Sequence, residues 1–293
     1  MAFAEFLRKH VVPRRSDILS DINPDDFAWA MPIMRAGYGG RGIVYLVVAG
    51  VSLWSVWHGG EAEGAESAMR SMDGLIGMFI VSIIAAGMFA YAIWRCIDSF
   101  WDLEAFGTSA RGIFARTAMV ITGLLHSVIG VLAVAALGYR NSGDGGRSLL
   151  AAVMQTPLGP WIIGSAGVAT VGAGLYYINK GFSQSYRDDL QANHFTLHWN
   201  PLLRAGLCAQ GISILIVGAL IVYAAATVDA SKAGGLGSAF DWLHDQSFGT
   251  PLVIVLCLGL LCFSLFCFVN AAFRIIPKAS DKSVKNLASQ ISM

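Results

Sequence analysis

Six stretches of this chain contain no Asp, Glu, Lys or Arg: residues 42–60, 74–94, 117–139, 148–179, 205–228 and 246–273. A helix rises about 1.5 Å per residue, so roughly 20 residues cross the ~30 Å hydrocarbon core of a bilayer. Trimmed by turn residues, the stretches predict membrane spans over 38–57, 75–97, 117–138, 158–181, 206–228 and 251–274. Helices are the expected element, because the runs are continuously apolar and lack the in/out alternation of an outer-membrane barrel strand. Composition leads to the same class. Hydrophobic residues make up 55% and charged residues 13%, against about 25% charged in soluble domains, too little charge to build a water-facing surface. A formal net charge of +1 leaves no basic field for a phosphate backbone, so nucleic acid is excluded as a partner. The fold class is therefore an all-α membrane protein with six transmembrane helices.

The 20 Lys and Arg residues set the orientation, since cytoplasmic loops collect positive charge. Sixteen fall on one side: Arg8, Lys9, Arg14, Arg15, Arg35 and Arg41 before or at the first span, Arg95, Arg111 and Arg116 in the second loop, Lys180, Arg187 and Arg204 in the fourth, and Arg274, Lys278, Lys282 and Lys285 in the tail. The other side holds Arg70, Arg140, Arg147 and Lys232, with Glu61, Glu63, Glu66 and Asp73 making its first loop acidic. Both termini are expected in the cytoplasm. Residues 1–26 are charged throughout and lack the apolar core of a cleavable signal, so the first span is the expected insertion signal. Residues 3–12 suit either a short amphipathic helix on the cytoplasmic leaflet or a solvated terminus, and Pro13 interrupts whichever forms. Cys96, Cys208, Cys257, Cys262 and Cys267 all lie in or at the ends of spans. A disulfide framework is not expected of them, and they read as small apolar packers.

The chain repeats itself three times. Arg35 is followed seven residues later by Gly42, Arg116 by Gly123 and Arg204 by Gly211, and after seven more stand Ala49, Gly130 and Gly218. The returning helices also align, with Ile93-Trp94, Ile178-Asn179 and Val269-Asn270 in matching places. Each unit contains two spans, so all three enter from the same side and the repeats are parallel, with a pseudo-symmetry axis along the membrane normal. Two arrangements follow, a six-helix bundle with approximate threefold symmetry or a row of hairpins without an axis. The units run 34–105, 110–190 and 203–277, between a cytoplasmic N-terminal segment 1–33 and a cytoplasmic tail 278–293. Lipid tails are as apolar as Leu, so helices associate in membranes by close packing that small residues permit. The stripes Gly42/Ala49, Gly123/Gly130 and Gly211/Gly218 are the expected helix contacts, and Gly87, Gly167, Gly172 and Gly174 serve the returning helices likewise.

The pattern Arg-Ala-Gly-Tyr-x-x-Arg-Gly-x-x-Tyr over 35–45, with a second helix ending in Tyr91-Ala-Ile-Trp94-Arg95, resembles the bacterial membrane family catalogued as domain of unknown function 1206. The resemblance covers 34–277. It implies tandem two-helix units and an inner-membrane location, and it brings no activity. The second unit departs from the first at Thr122 and His126, where the first has Arg41 and Tyr45, and the third has Gln210 and Ile214.

Few residues carry chemistry. Arg35, Arg116 and Arg204 are equivalent, and two readings are open: each snorkels to anionic lipid headgroups, or the three converge on a carboxylate or phosphate at one mouth. Arg41, without a basic counterpart, reads as a further anchor. His126 is the one histidine inside a span; it suits packing with a backbone hydrogen bond, with haem ligation or quinone binding as the cofactor alternative to none. Asn179 and Asn270, at matching places, suit helix-to-helix hydrogen bonds or a polar vestibule. His194 and His198 have the spacing of a metal pair but no third ligand, and no metal is expected. There is no Walker loop, Rossmann fingerprint or nucleophile elbow, so no catalytic residue is assigned and an enzyme is not expected. The sequence favours a scaffold or accessory subunit that binds lipid, a membrane-protein partner or a second copy of itself. The alternative is a small-anion transporter or channel with an axial polar pathway.

Overall fold

The computed structural model of the chain describes residues 22–70, 74–138, 152–280 and 284–291, together with Leu19. The segment 3–12 and the Gly-rich loop 141–146 lie outside the described residues. In chain order the helices are α1 (Ala30–Trp57), α2 (Ala65–Arg70), α3 (Gly74–Trp101), α4 (Ala110–Gly138), α5 (Gly159–Ser183), α6 (His194–His198), α7 (Asn200–Thr227), α8 (Leu236–His244), α9 (Gly249–Phe273) and α10 (Leu287–Ile291). Six of these, α1, α3, α4, α5, α7 and α9, are long and apolar enough to cross a membrane. Among the described residues there is no strand beyond two isolated bridges, Leu190 with Arg274 and Gln191 with Asn286.

The helices overrun the apolar stretches mostly at the arginine-rich end, termed the basic end below. α1 starts at Ala30 and α4 at Ala110, so Arg35, Arg111 and Arg116 are helical residues and not loop residues. An apolar count stops at the first charge, whereas the hydrogen-bonded helix does not. At the opposite, acidic end the returning helices begin alike: Gly74, Gly159 and Gly249 are the first residues of α3, α5 and α9. A Cβ on Gly159 or Gly249 would strike the carbonyl of Val153 or His244, and Gly74 has φ +77°, a region L side chains rarely adopt.

Packing follows a single circuit. α4 lies against α3, α3 against α1, α1 against α9, α9 against α7 and α7 against α5. In a flat row α5 would lie far from α1. Yet Tyr177 of α5 receives a hydrogen bond from Arg41 of α1, and Gln210 of α7 reaches Tyr45 of α1. The row is therefore curled into a ring in which the repeat order runs around an axis. Five of the six junctions are packed; the sixth, between α4 and α5 of the middle repeat, has no comparable interface among the described residues. Correspondingly, α5 and α4 bury 17% and 28% of their most apolar stretches, against 39–50% for the other four helices.

The expected small residues make the junctions between repeats. A Cβ on Gly42 would sit 2.8 Å from the Phe268 ring, one on Gly123 3.1 Å from the Ala92 carbonyl oxygen and one on Gly211 2.6 Å from the Ile178 side chain. All three glycines thus face the same level of the preceding returning helix. Gly130 meets Phe89 and Gly218 meets Val171, while Ala49 is fully buried. Junctions within a repeat use different positions. Gly40 lies directly against Gly87, Gly37 against the Tyr91 backbone, and Gly206 against the Cys262–Phe263 backbone. Gly167 and Gly174 pack on α7, but a Cβ on Gly172 would meet nothing within 4 Å, because it faces the unfilled junction.

Gly40→Ala therefore overpacks a backbone-to-backbone contact and is expected to cost about 1–3 kcal/mol. Gly172→Ala gains helix propensity, up to about 1 kcal/mol, without a clash. Thermal unfolding in detergent separates them; equal effects would show that α1 and α3 do not meet as described.

Candidate functional site

The ring encloses a polar centre. Arg41 lies about 16 Å along α1 from its first residue, at 1.5 Å per residue, and is buried. Its guanidinium is surrounded by rings: the centroid of Phe263 is 4.9 Å from Cζ, of Tyr91 5.3 Å, of Tyr45 5.8 Å and of Tyr177 6.0 Å. Nη1 donates to the Tyr91 hydroxyl at 3.2 Å and Nη2 to the Tyr177 hydroxyl at 3.4 Å. Gln210, at the position equivalent to Arg41 in the third repeat, donates to the Tyr45 hydroxyl at 2.8 Å. His126, the equivalent of Tyr45 in the second repeat, lies with its ring 4.5 Å from that of Tyr91, and its Nδ1 is 2.7 Å from the Thr122 carbonyl oxygen. Among the described residues no carboxylate pairs with Arg41, and its Nε has no acceptor.

A second cluster caps this centre at the basic end. Arg95 donates from Nε to the Tyr91 hydroxyl at 3.1 Å, so one phenol oxygen accepts from two arginines, and from Nη1 to Asp98 at 3.3 Å. Arg274, just beyond α9, pairs with Glu104, donates to Asn270 Oδ1 at 2.9 Å, stands 3.8 Å from Asp189 and lies over the Tyr38 ring. Lys180 completes it, 3.2 Å from Asp189. Glu104 and Asp189 hold corresponding places after the returning helices of the first two repeats; both reach the arginine of the third. Every repeat thus contributes a charge. Among the described residues four cations face three carboxylates, and Arg41 is the one left over. All five buried side-chain atoms without a hydrogen-bond partner among the described residues lie in this assembly: Arg41 Nε, Trp94 Nε1, Asp98 Oδ1, Gln210 Oε1 and Arg274 Nε. Buried polar atoms in folded proteins are otherwise nearly all paired, which makes this region the candidate functional site.

The equivalent arginines fall elsewhere. Successive residues turn by about 100°, so a spacing of seven returns to nearly the same face. Arg35, Arg116 and Arg204 therefore share the faces of Gly42, Gly123 and Gly211, which point at the neighbouring repeat and away from the axis. Arg116 donates to the carbonyls of Ser99 at 2.6 Å and Phe100 at 3.1 Å, closing the end of α3; Arg204 lies over Phe182; Arg35 is exposed. Arg116 and Arg204 are engaged separately and Arg35 faces outward, so the structure does not bring the three together at one anion site. The cation at the axis is Arg41, which the sequence reading made an anchor. Asn270 is buried in the cluster, donating to the Phe266 carbonyl at 2.8 Å, whereas Asn179 is exposed. The signal available in the sequence was the polar register Arg41, Thr122 and Gln210, visible only as a departure between repeats.

His194 and His198 stack at 6.3 Å on α6. No group of three or more metal-ligating side chains is found among the described residues. Two hollows lie at the acidic end, one lined by Trp54, His58 and Glu63, the other by Phe240, Asp241 and His244; around Arg41 the four aromatic rings close in to 4.9–6.0 Å.

At Glu104, outside the spans, electrostatics favour the ionised carboxylate. Burial raises the Glu104 carboxyl, but Arg274, with Arg95 and Lys180 behind it, outweighs that and holds it down at about 2. A depressed carboxylate stabilises the fold above its ordinary value of about 4.5 and loses that contribution as pH falls toward 2. Glu104→Gln is expected to cost about 3–5 kcal/mol at pH 7, with the gap from the unsubstituted protein intact down to about pH 4.5 and closing below it. Unfolding in detergent across pH checks this; a variant as stable as the parent at pH 7 would contradict it.

The family model described as Domain of Unknown Function (DUF1206) matches the chain three times, over residues 36–102, 117–184 and 205–274. A curated relative, the Uncharacterized protein YxxB of Bacillus subtilis (strain 168), is 21% identical over 262 residues, covering 87% of this chain and 95% of the relative. No solved structure matches.

Proposed function

The chain belongs to the DUF1206 family, and we propose that it is a lipid-binding scaffold or accessory protein of the bacterial inner membrane, with both termini cytoplasmic, whose anion site is Arg41. One observation carries this reading: among the described residues, a guanidinium enclosed inside the ring has no carboxylate beside it and an unpartnered Nε. An ionisable group at membrane depth is expensive and is normally paired. Phenol oxygens offer partial charges, and anionic oxygens are the acceptors that balance a full one. The rings that close around Arg41 favour a binding site over an open pore.

The competing reading, a small-anion transporter, has one observation in its favour. Arg95, in the cluster at the basic end, and Arg41, inside the ring, are joined through the Tyr91 hydroxyl. A carrier would hand an anion from one to the other.

Arg41→Gln tests both. In lipid-free detergent the variant is expected to unfold at a higher temperature than the parent, because an unpaired buried charge has been removed, while losing the stabilisation that phosphatidylglycerol gives over phosphatidylcholine. Lower stability with unchanged selectivity for anionic lipid would reduce Arg41 to a structural residue. Anion flux into liposomes that depends on Arg41 would select the transporter.

A further inference from the structure

The unfilled junction between α4 and α5 adjoins the Arg41 site, and the two features together identify the ligand more narrowly. The positions that would close the ring are known from the other two repeats. Gly37 and Gly40 of α1 meet Tyr91 and Gly87 of α3, and Gly206 and Ala209 of α7 meet the Cys262–Phe263 backbone and Gly259 of α9. Their counterparts in the middle repeat are Ala118 and Ile121 on α4 and, within a residue, Val168, Gly172 and Tyr176 on α5. All five are exposed: Ile121 at 54%, Val168 at 62% and Tyr176 at 60%, with Ala118 and Gly172 also open. Repeat positions that are covered twice elsewhere are therefore left as an apolar cleft once.

The inner end of the cleft is polar. Tyr177, next to Tyr176, carries the hydroxyl that accepts from Arg41 Nη2. On the other side His126 lies against Tyr91, which accepts from Arg41 Nη1. Ile121 precedes Thr122, the repeat counterpart of Arg41, so the cleft meets the guanidinium at its own depth. From there the open stripe runs along α4 through Leu125 and Val128, both exposed, toward the acidic end. A water-soluble anion needs no such groove. An anionic group with an acyl tail fits both parts, because the tail covers the apolar cleft while the headgroup supplies the oxygens that Arg41 lacks.

We infer that the ligand at Arg41 is an anionic membrane lipid that enters sideways between α4 and α5 and leaves its acyl tail in that cleft. This rests on the reading of Arg41 as an anion site and adds the route and the ligand class. Charge selects the occupant: among the described residues the buried arginine beside the cleft has no carboxylate of its own, which a neutral helix from a second copy would not remedy.

The experiment is photolabelling of the full chain in nanodiscs with a fatty acid carrying a diazirine in mid-chain, with adducts mapped by mass spectrometry. In the parent, adducts are expected to concentrate on Ile121, Leu125, Val168 and Tyr176 over the outward face of α3, which serves as the internal control. Arg41→Gln should bring them down to the α3 level. Gly172→Trp, at a position with open space around it, should do the same while leaving inorganic phosphate able to stabilise the protein. If Arg41→Gln abolishes anionic-lipid selectivity but adducts are spread evenly over all outward faces, the cleft is not the route and the anion site stands. If Arg41→Gln changes neither, the anion site itself falls. Cross-links joining α4 and α5 of two copies would assign the cleft to self-association and overturn the inference.

Discussion

Where Gly40 lies on Gly87, two helix backbones touch with no side chain between them, and the rest of the molecule depends on contacts of this kind. In a bilayer no hydrophobic force drives helices together, so what holds them is packing that lipid cannot match. Gly42, Gly123 and Gly211 provide that packing between repeats, each against the same level of its neighbour, and the result is a ring built by repeating one junction. Among the described residues the middle repeat has no comparable within-repeat contact. Ala118 and Ile121 stand where glycines stand in the first repeat, and no described residue packs on the α5 face at Gly172, so the described ring is open at α4 and α5.

A ring of this size has an inside, and the inside determines which polar residues matter. In a low-dielectric interior an unpaired charge costs several kcal/mol, and its interactions with neighbouring charges are stronger than in water. Arg274, Arg95 and Lys180 are offset by Glu104, Asp98 and Asp189, drawn from all three repeats. That cluster ties the basic end of the ring together and leaves Arg41, behind Tyr91, without a share of the negative charge. The three repeats are therefore no longer interchangeable at the axis: the first supplies a cation, the third an amide in Gln210, and the second Thr122, beside the cleft. Divergence of one register among otherwise similar units is what a single off-axis ligand requires.

Much of this was legible in the sequence. The charge-free runs located all six spans, because nothing else crosses hydrocarbon so cheaply, and the seven-residue Arg-to-Gly spacing located the repeats and their packing faces. The helix starts at the basic end were not legible, since Arg35, Arg111 and Arg116 continue the helix beyond the apolar stretch. The equivalence of Arg35, Arg116 and Arg204 is legible in the spacing, and of the two readings open for them the structure does not bring about the convergent one. A residue seven before a packing glycine shares its face, and that face turns to the neighbouring repeat. Arg41, one residue before Gly42, points about 100° away, and only the closure of the ring makes that direction inward. Glu104, Asp189 and Arg274 lie far apart in sequence and meet through the same closure, a relation that no spacing encodes.

The proposed site requires Arg41 to take its counter-charge from outside the protein. An electron cryomicroscopy map in nanodiscs tests this directly, recorded once with anionic lipid and once with phosphatidylcholine alone. Such a site predicts density within hydrogen-bonding distance of Arg41 Nε, about 2.7–3.2 Å, in the anionic bilayer and its loss in the other, with α4 and α5 apart in both. A guanidinium satisfied by protein groups or water alone in either lipid, with α4 packed on α5, would contradict it.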